Sequence, residues 1–390
     1  MQEVYIISAA RTAIGDFGGS LSSLSNVELG TVVTKEVITR AELKPDAIEE
    51  IICGMVYKGG SKGNPGRQIQ IAAGLPESGY ACTVDQQCGS GMRVVEIQSQ
   101  QIILEKTNIG IAVGIESMSN VPYVLKNARK IRMGDETLFD MLTYDGLVCA
   151  MCDYHMGITA ENLAEKYSIS REEQDDLAVM SHSRALAAIG AGKFKDEIVP
   201  VAIKSRKGET LFDTDEHPKS VTKESLSAMK PAFKKDGTVT AGNSSGINDG
   251  ASALLLASGD AVRKHGLKPM ARILSTASAG VEPKYMGIGP VYAIPKALKY
   301  AGLDMNQIGY FEINEAFAAQ FLACNRELQI DMDKINVNGS GIALGHPVGS
   351  TGLRIIISLM SELKRRNQKY GVASLCVGGG PAMATAIELL

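Results

Sequence analysis

The segment AELKPDAIEEIICG at 41–54 decides the fold, because it recurs in altered form as AGLDMNQIGYFEIN at 301–314. In both copies a helix end is followed by an acidic or amide-rich turn and then by a short apolar strand. The two copies lie 260 positions apart. Self-similarity over so long an interval predicts a chain built from two halves of one design.

A second pair of segments supports this interpretation. CGSGMRVVEIQSQQI, starting at Cys88, aligns with VGSTGLRIIISLMSEL, starting at Val348, and the second copy is one residue longer. A strand-like run follows each copy, IAVG near 111 and SLCVGG near 374. Strands that alternate with helical periodicity are typical of α/β layers, so we predict two α/β halves packed as a pseudo-symmetric pair.

The sequence between the halves has a different texture. Residues 118–246 are charged, rich in methionine and loop-like. We therefore predict a first half at 1–117, an inserted domain at 118–246 that covers one face, and a second half at 247–390. Inside the insertion, Ser170 before acidic residues is a typical helix start, and the GAG at 190–192 is a typical stop.

The overall composition is that of a soluble globular protein. The 390 residues are 45% hydrophobic and 21% charged, with a formal net charge of -3, which favours neither nucleic acid nor an anionic membrane as a partner. The N-terminal MQEVYIISAARTAIG has no basic region of a secretory signal, and no apolar run approaches the roughly 18–20 residues of a membrane span. Seven scattered cysteines suit a reducing compartment, so we predict a cytoplasmic protein.

Cys88 is the first candidate for chemistry. It heads the turn CGSG directly before MRVVEIQSQQIILEK, which has the pattern of a buried helix. Free backbone N–H groups at a helix start favour a thiolate, so we predict a lowered pKa and a nucleophilic role for Cys88. The alternative is a small core residue followed by a tight turn.

His346 is the second candidate. It lies in NVNGSGIALGHPVGSTGLR, where dense glycines let backbone and ligand approach closely. Because it closely precedes the repeat partner of the Cys88 helix, pseudo-symmetry would bring it near Cys88, where it could act as a base. A lone histidine is otherwise more often a satisfied structural residue.

Two further segments place polar groups at strand ends. In SLCVGGGPAMATA, Cys376 ends an apolar strand before three glycines whose N–H groups can point at an oxyanion. This segment is no phosphate loop, because no GKS or GKT follows it and no dinucleotide fingerprint is present. In FEINEAFAAQ, Asn314 and Glu315 end a strand where α/β folds often place ligands. The alternative for Asn314 is a helix cap.

Taken in order, these segments resemble the thiolase family, most closely its acetyl-CoA acetyltransferase branch. The resemblance implies the thiolase fold, an α/β architecture in which two pseudo-symmetric repeated domains form a five-layer sandwich with an inserted loop domain. Each half would hold a five-stranded sheet, and two helices would lie at the centre. The segments that carry the resemblance along the whole chain are RTAIGDFGGSL, YHMGITAEN, KPAFKKDGTVTAGNSSGINDGA, MGIGP, NEAFAAQ, GHPVG and CVGGG.

The activity implied is a reversible condensation of two acetyl-CoA molecules to acetoacetyl-CoA and CoA. In this family the reaction is a ping-pong acyl transfer through a cysteine thioester. Coenzyme A is then a substrate, and the resemblance implies no cofactor and no metal.

The resemblance also assigns roles to five residues. Cys88 corresponds to the nucleophile that is acylated, and His346 to the base that activates it. Cys376 corresponds to the second acid/base, which takes a proton from the methyl group of the second acetyl-CoA. Asn314 corresponds to the residue that holds a water, which forms an oxyanion hole for the enolate together with His346. The backbone N–H groups of Cys88 and Gly378 correspond to the other oxyanion hole.

A mostly apolar set of residues corresponds to the binding site for coenzyme A, which suits the pantetheine arm because that arm has few charges to pair. Lys219 stands, one residue out of register, about where the family often has an arginine, and Met286 would lie near the acyl end. The set is Leu147, His155, Met156, Lys219, Phe233, Ala241, Ser245, Met286, Ala316 and Phe317.

Three departures from the family pattern lie in or near the acyl pocket. Gly339-Ser340 replaces a glycine pair, VDQQCGSG replaces more apolar residues before the nucleophile, and Pro381 replaces a glutamine. They leave open the chain-length preference, with a degradative 3-ketoacyl-CoA thiolase for longer chains as the alternative. A decarboxylating synthase of the same fold would need a histidine where Asn314 stands. A catalytically dead relative that binds CoA or lipid would not need two cysteines and a histidine together.

The remaining cysteines allow several interpretations. CAMC at 149–152, followed by His155, lacks a fourth ligand for zinc, so it is either a redox pair or two small residues in the pantetheine loop. Separately, Cys88 and Cys376 would lie close together, and we hypothesise that oxidation could join them.

One segment bears on the oligomeric state. VPYVLKNARKIRMGDETLFDML at 121–142 corresponds to the family's tetramerisation loop, so we expect a homotetramer, arranged as a dimer of dimers. The alternative is a solvated charged loop on a dimer.

Overall fold

The computed structural model describes residues 2–206 and 208–390, so Met1 in the predicted first half and Lys207 in the predicted insertion lie outside the described residues. The strands are β1 (Val4–Arg11), β2 (Gly15–Asp16), β3 (Glu50–Gly54), β4 (Tyr80–Val84), β5 (Ile109–Ser117), β6 (Tyr123–Leu125), β7 (Leu138–Asp140), β8 (Val148–Cys149), β9 (Tyr154–His155), β10 (Val201–Ser205), β11 (Gly208–Phe212), β12 (Asn248–Ser258), β13 (Ala271–Gly280), β14 (Tyr310–Ile313), β15 (Tyr370–Cys376) and β16 (Pro381–Leu389). The helices are α1 (Asn26–Arg40), α2 (Pro65–Ala72), α3 (Ser90–Ile103), α4 (Met156–Lys166), α5 (Arg171–Gly190), α6 (Lys223–Ser227), α7 (Gly259–His265), α8 (Pro290–Ala301), α9 (Ala318–Leu328), α10 (Gly341–Leu344) and α11 (Val348–Arg366).

The main sheet has the order β14-β15-β16-β13-β1-β12-β5-β3-β4, with β2 paired to β12. Its two halves repeat one arrangement, since β3 is parallel to β5 as β14 is parallel to β15. They join through three residue pairs between Val4–Ile6 of β1 and Ala271–Ile273 of β13. The two predicted repeated halves are confirmed, and the sheets differ in one detail. The fifth-strand position of the second half is reduced to a single bridge between Phe311 and Ile335.

Two helices at the centre separate the two halves of the sheet. The residues of α3 and α11 pack together with apolar residues from both halves, among them Ile52 and Ala112 on one side and Leu375 on the other. Helices α1 and α2 cover the outer face of the first half, and α8 and α9 cover the outer face of the second. This is the five-layer order expected from the resemblance.

The sequence of α11 explains its place at the centre. Every residue from Val348 to Met360 is buried, so the helix has no solvated face over these residues. A helix that is buried all round needs neighbours on every side, and two sheets supply them. Lys364, Arg365 and Arg366 lie in its last turn, where basic side chains interact favourably with the negative end of the helix dipole.

The predicted insertion consists of short pairs of strands and of helices. The two-stranded pairs are β6-β7, β8-β9 and β10-β11. Helix α5 begins after Ser170, whose side chain forms a capping box with Glu173, so the predicted helix start is confirmed. The boundaries at 117/118 and 246/247 stay predictions, and β12, which follows the second boundary, pairs with β1 and β5 of the first half. None of the described helices combines the length and apolar character needed to cross a membrane.

Candidate active site

Cys88 is presented by a tight turn between β4 and α3. Gln87, directly before it, has a φ of 50°, a left-handed conformation that is uncommon for a residue with a side chain. The turn is held by hydrogen bonds at 2.8 Å from the Gln86 N–H to Ser90 Oγ and from the Gln87 N–H to Asp85 Oδ1. The polar residues before Cys88 therefore fix the backbone that places its sulfur at the start of a buried helix.

The pKa of Cys88 is shifted in the direction opposite to the sequence prediction. Burial raises the pKa of this thiol to about 11, although the backbone N–H groups of Gly378 and of Cys88 itself act in the opposite direction. The predicted lowering of the Cys88 pKa by the helix start is therefore wrong, because desolvation outweighs the backbone dipoles. The resting side chain is a neutral thiol that needs a base before it can attack.

His346 is a neutral imidazole with a defined tautomer. The Thr351 hydroxyl donates to the Pro347 carbonyl at 3.0 Å, so its oxygen is left to accept the hydrogen bond that joins it to His346 Nδ1 at 2.6 Å. The proton therefore lies on Nδ1, and Nε2 keeps a free lone pair. Burial, and next the positive charge of Arg354, lower the pKa of His346 to about 3.

Asn314 connects His346 to the second half of the sheet. It follows β14 directly, and its N–H donates to the Ser374 carbonyl of β15 at 3.0 Å. Its Nδ2 lies 3.4 Å from His346 Nε2, and its Oδ1 accepts from Arg354 at 3.4 Å. The helix-cap alternative for Asn314 is wrong, because α9 begins only at Ala318 and has Phe317 as its N-cap residue.

The end of β15, with Cys376 and Gly378, lies close to the Cys88 sulfur. The Gly378 N–H donates to the Cys88 sulfur, and Cys376 is buried close enough for the two sulfurs to interact. Burial, and next the charge on Cys88, raise the pKa of Cys376 well above its ordinary value. Gly379 and Gly380 have φ angles of 92° and 106°, which a glycine adopts without strain, and so the chain can reverse into β16. The two thiols thus lie near each other, and Asn314, bonded to Ser374 of the same strand, contacts the His346 ring.

Beside the thiols, predicted coenzyme A residues form a largely apolar wall. The rings of His155 and Phe233 stack with centroids 4.6 Å apart, and Phe233 meets Phe317 edge-on at 6.0 Å. The Ser245 N–H donates to the Ala316 carbonyl at 2.9 Å. The predicted residues Met156, Met286, Ala316 and Phe317 share one buried cluster with Cys376. Leu147 packs against a neighbouring cluster together with Cys88.

Two predicted coenzyme A residues lie in other surroundings. The Lys219 ammonium is 3.4 Å from Asp16 Oδ2, and the backbone N–H of Lys219 donates to His182 Nδ1 at 3.1 Å. Ala241 lies exposed in a short 3-10 turn, Ala241–Asn243. Their assignment to coenzyme A stays a prediction.

Several residues that the sequence analysis missed position the candidate groups. Thr351 is the extra residue by which the second repeat exceeds the first, a signal that could have identified it. Asn248 accepts from the His346 N–H at 3.0 Å. The buried carboxyl group of Glu116 accepts from Gly349 at 3.0 Å and so ties the start of α11 to β5. Burial raises the pKa of Glu116 to about 8, despite three backbone N–H groups that act in the opposite direction.

Within residues 2–206 and 208–390, no group of three or more histidine, cysteine, aspartate or glutamate side chains is arranged to hold a metal ion. CAMC therefore has no partner ligands for zinc among the described residues.

The whole chain is similar to known proteins. "Thiolase, N-terminal domain" matches residues 4–260, and "Thiolase, C-terminal domain" matches residues 267–389. The acetyl-CoA acetyltransferase of Pseudomonas aeruginosa is 49% identical over 390 residues, which cover 99% of each chain.

Solved structures are also similar to the whole chain. The acetyl-CoA acetyltransferase of Syntrophomonas wolfei superposes with a TM-score of 0.98 at 46% identity and full coverage of both chains. Human mitochondrial 3-ketoacyl-CoA thiolase superposes with a TM-score of 0.97 at 41% identity, covering 100% of this chain and 99% of that one. The chain therefore belongs to the thiolase family.

Proposed function

We propose that the chain is an acetyl-CoA acetyltransferase, which condenses two acetyl-CoA molecules reversibly into acetoacetyl-CoA and CoA. The observation that supports this proposal is that two thiols, Cys88 and Cys376, lie near each other, while Asn314, bonded to the Cys376 strand, contacts the neutral ring of His346. Acyl transfer needs one nucleophile and its base, whereas forming a carbanion needs a second base. The relatives that bear this name match the chain over its whole length.

In the first half-reaction, the Cys88 sulfur attacks the carbonyl carbon of acetyl-CoA while its proton passes to His346 Nε2. The Gly378 and Cys88 N–H groups, which already face the sulfur, hold the oxyanion that forms. When the carbon–sulfur bond to CoA breaks, the imidazolium returns the proton to the departing thiolate. CoA leaves as a thiol, and the acetyl group remains on Cys88.

In the second half-reaction, His346 Nε2 takes the proton of the Cys376 thiol, and the resulting thiolate removes a proton from the methyl group of a second acetyl-CoA. The enolate oxygen is stabilised by the Nε2–H of the His346 imidazolium and by a water held on Asn314 Nδ2, and the enolate carbon attacks the acetyl group on Cys88. Acetoacetyl-CoA forms, and the Cys88 sulfur takes the proton from the imidazolium, so both cysteines end as thiols and His346 is neutral again. Every bond broken belongs to a thioester, a thiol or a C–H group, so coenzyme A serves as substrate and no cofactor is needed.

The apolar wall beside the thiols supports binding of the pantetheine arm. We assign this role to Leu147, Met156, Phe233 and Phe317, with Met286 near the acyl group. His155, stacked on Phe233, and Ser245, fixed to Ala316, complete the wall. Lys219 belongs to the proposed nucleotide end of the site, and Ala241 to the proposed pantetheine site. Phosphate contact by Lys219 would require its ammonium to leave Asp16.

A preference for short chains is tested by the rates of thiolysis. Thiolysis should be fastest with acetoacetyl-CoA and fall steeply between four- and eight-carbon 3-ketoacyl-CoA substrates, and Cys88→Ala should be inactive with all of them. Faster thiolysis of eight- to sixteen-carbon substrates would instead assign the degradative activity named for the human relative.

A homotetramer is the proposed assembly. Its support, besides the resemblance, is the β6-β7 hairpin, which exposes Tyr123 by 63%, Met133 by 97% and Leu138 by 61%. Exposed apolar side chains on one projecting hairpin are typical of a contact between subunits. The double variant Met133→Asp/Leu138→Asp should convert a tetramer to a dimer in mass photometry, and a wild-type dimer would refute the proposal.

A further inference from the structure

A second pair of cysteines lies beside the active site and has no part in the proposed chemistry. Cys149 ends β8, and Cys152 lies in the turn that leads to β9. Cys149 is only 1% exposed, whereas Cys152 is half-buried. The pair therefore has one thiol that a reagent can reach and one that is shielded behind it.

The turn between the two strands already holds the thiols together. The N–H groups of Cys152 and Asp153 donate to the Cys149 carbonyl at 3.2 and 2.7 Å. A four-residue turn keeps its first and last Cα atoms within about 7 Å, and disulfides span Cα separations of about 4.4–6.8 Å. The Cys152 thiol also interacts directly with the Cys149 thiol and with the Tyr154 hydroxyl. The backbone is thus folded as a disulfide between the two residues requires.

The same turn forms part of the wall around the candidate site. Cys149 packs in the buried cluster that contains Met156, Met286 and Cys376. Met151, in the middle of the turn, reaches the glycine loop after Cys376, since a side chain added at Gly379 would lie 2.5 Å from its methyl carbon. A covalent bond across the turn would therefore act on the wall and on the glycine loop together.

We propose that Cys149 and Cys152 are a site of reversible disulfide formation, and that the disulfide weakens the binding of acyl-CoA at the Cys88 site. Formation of the disulfide stands on the geometry of the turn alone. Its effect on binding rests on the proposed function.

The oxidant is a low-molecular-weight disulfide. The more accessible Cys152 loses its proton, and its sulfur attacks one sulfur of the reagent, which breaks the reagent's S–S bond and releases one thiol. Cys149 then loses its proton and attacks the Cys152 sulfur of this mixed disulfide, releasing the second thiol. The protein gives up two electrons and two protons, and the reagent becomes two thiols.

The test begins with the full-length reduced protein, incubated anaerobically with oxidised glutathione, quenched with acid and alkylated. Peptide mass spectrometry should show the peptide with Cys149 and Cys152 short of two hydrogens and resistant to alkylation. Cys88 and Cys376 should remain alkylatable, and the exposed Cys82 should carry at most a glutathione adduct. Alkylation of both Cys149 and Cys152 at glutathione levels that modify Cys82 would overturn the proposal, as would a disulfide between Cys88 and Cys376 formed in preference.

The functional consequence is measured, for each protein, as the ratio of the KM of the oxidised sample to the KM of the reduced sample. The KM for acetoacetyl-CoA should rise several-fold on oxidation in the wild type and stay unchanged in Cys152→Ser, which cannot form the mixed disulfide. Because oxidised and reduced samples of one protein are compared, any basal effect of the substitution cancels. An equal rise in the wild type and in Cys152→Ser would refute the role in binding. Acetylation of Cys88 in the reduced protein tests the proposed function separately.

Discussion

At the scale of single residues, the role proposed for His346 as the base depends on what surrounds its ring. Thr351 fixes the proton on Nδ1, and Asn314 places an amide beside Nε2. Burial keeps the ring neutral by lowering its pKa, while it raises the pKa of the Cys88 thiol. The resting site is thus a neutral pair rather than an ion pair. In the proposed reaction, the proton of Cys88 moves to His346 only when the thioester carbonyl becomes an oxyanion that the backbone N–H groups can stabilise.

Thr351→Val tests the role of the tautomer. The change keeps the volume of the side chain but removes the acceptor for the Nδ1 proton, so both tautomers become populated. We expect kcat to fall by on the order of tenfold or more, because catalysis then depends on the fraction of rings with a free Nε2.

Thr351→Ser is the matched control, since it restores the hydroxyl, and its kcat should return close to that of the wild type. The dependence of kcat on pH separates this effect from a loss of folding. The lost hydrogen bond should shift the acid limb of the kcat profile along the pH axis, whereas a loss of folded protein should lower kcat equally at every pH. A wild-type kcat in Thr351→Val would contradict the account.

The sequence could predict the chemical groups but not their environment. Cys88, His346, Cys376 and Asn314 are marked by glycine-rich or strand-end patterns in the chain itself. Their pKa values depend on burial by residues remote in sequence, and so the sign of the Cys88 shift was missed. Arg354, which contacts Asn314, looks in sequence like any basic residue of a helix.

At the scale of elements, the site depends on how closely α3 and α11 cross near their first turns. A Cβ added at Gly91 would lie 2.8 Å from the Gly349 carbonyl oxygen, and one added at Gly352 would overlap the Met92 backbone nitrogen. Because Cys88 precedes one helix and His346 the other, this crossing positions the proposed nucleophile relative to the proposed base.

Gly352→Ala should therefore destabilise the protein and disturb catalysis. The methyl group meets backbone rather than a flexible side chain, so the cost should lie at the upper end of the about 1–3 kcal/mol that overpacking typically costs. The control is Gly259→Ala, at the start of α7, where the added carbon would meet its nearest neighbour at 3.5 Å.

Urea unfolding at equilibrium measures both changes in the free energy of unfolding. Equal free energies for the two variants would show that the crossing tolerates a side chain.

The repeat predicted the correspondence between elements because each half must bury the same faces. The sequence did not predict that a single bridge near Ile335 replaces a fifth strand, because a short loop and a short edge strand have similar sequences.

At the scale of the whole molecule, stability depends on buried ionisable groups. His182 of α5 is buried, and desolvation, followed by the charges of His217 and Lys219, lowers its pKa to about 4. An unfolded histidine titrates near about pH 6.5. As the pH falls from there towards 4, the unfolded chain binds a proton that the folded chain refuses, so stability is lost on acidification.

His182→Gln should remove this dependence, since glutamine can still accept the Lys219 N–H but does not titrate. The free energy of unfolding of the wild type relative to the variant should fall by on the order of 2 kcal/mol between about pH 7 and about pH 5. The measurement is chemical unfolding at each pH. A difference between the two proteins that does not vary with pH would contradict the shifted pKa of His182.

The central claim is that Cys88 carries the acyl group, and mass spectrometry of the protein incubated with acetyl-CoA tests it most directly. We predict one added acetyl group on the peptide containing Cys88 in the wild type and in Cys376→Ala, although the latter should form no acetoacetyl-CoA. Cys88→Ala should gain no acetyl group at this peptide or at Cys376. An acetyl group that is absent from Cys88, or that persists elsewhere in the site of Cys88→Ala, would contradict the account.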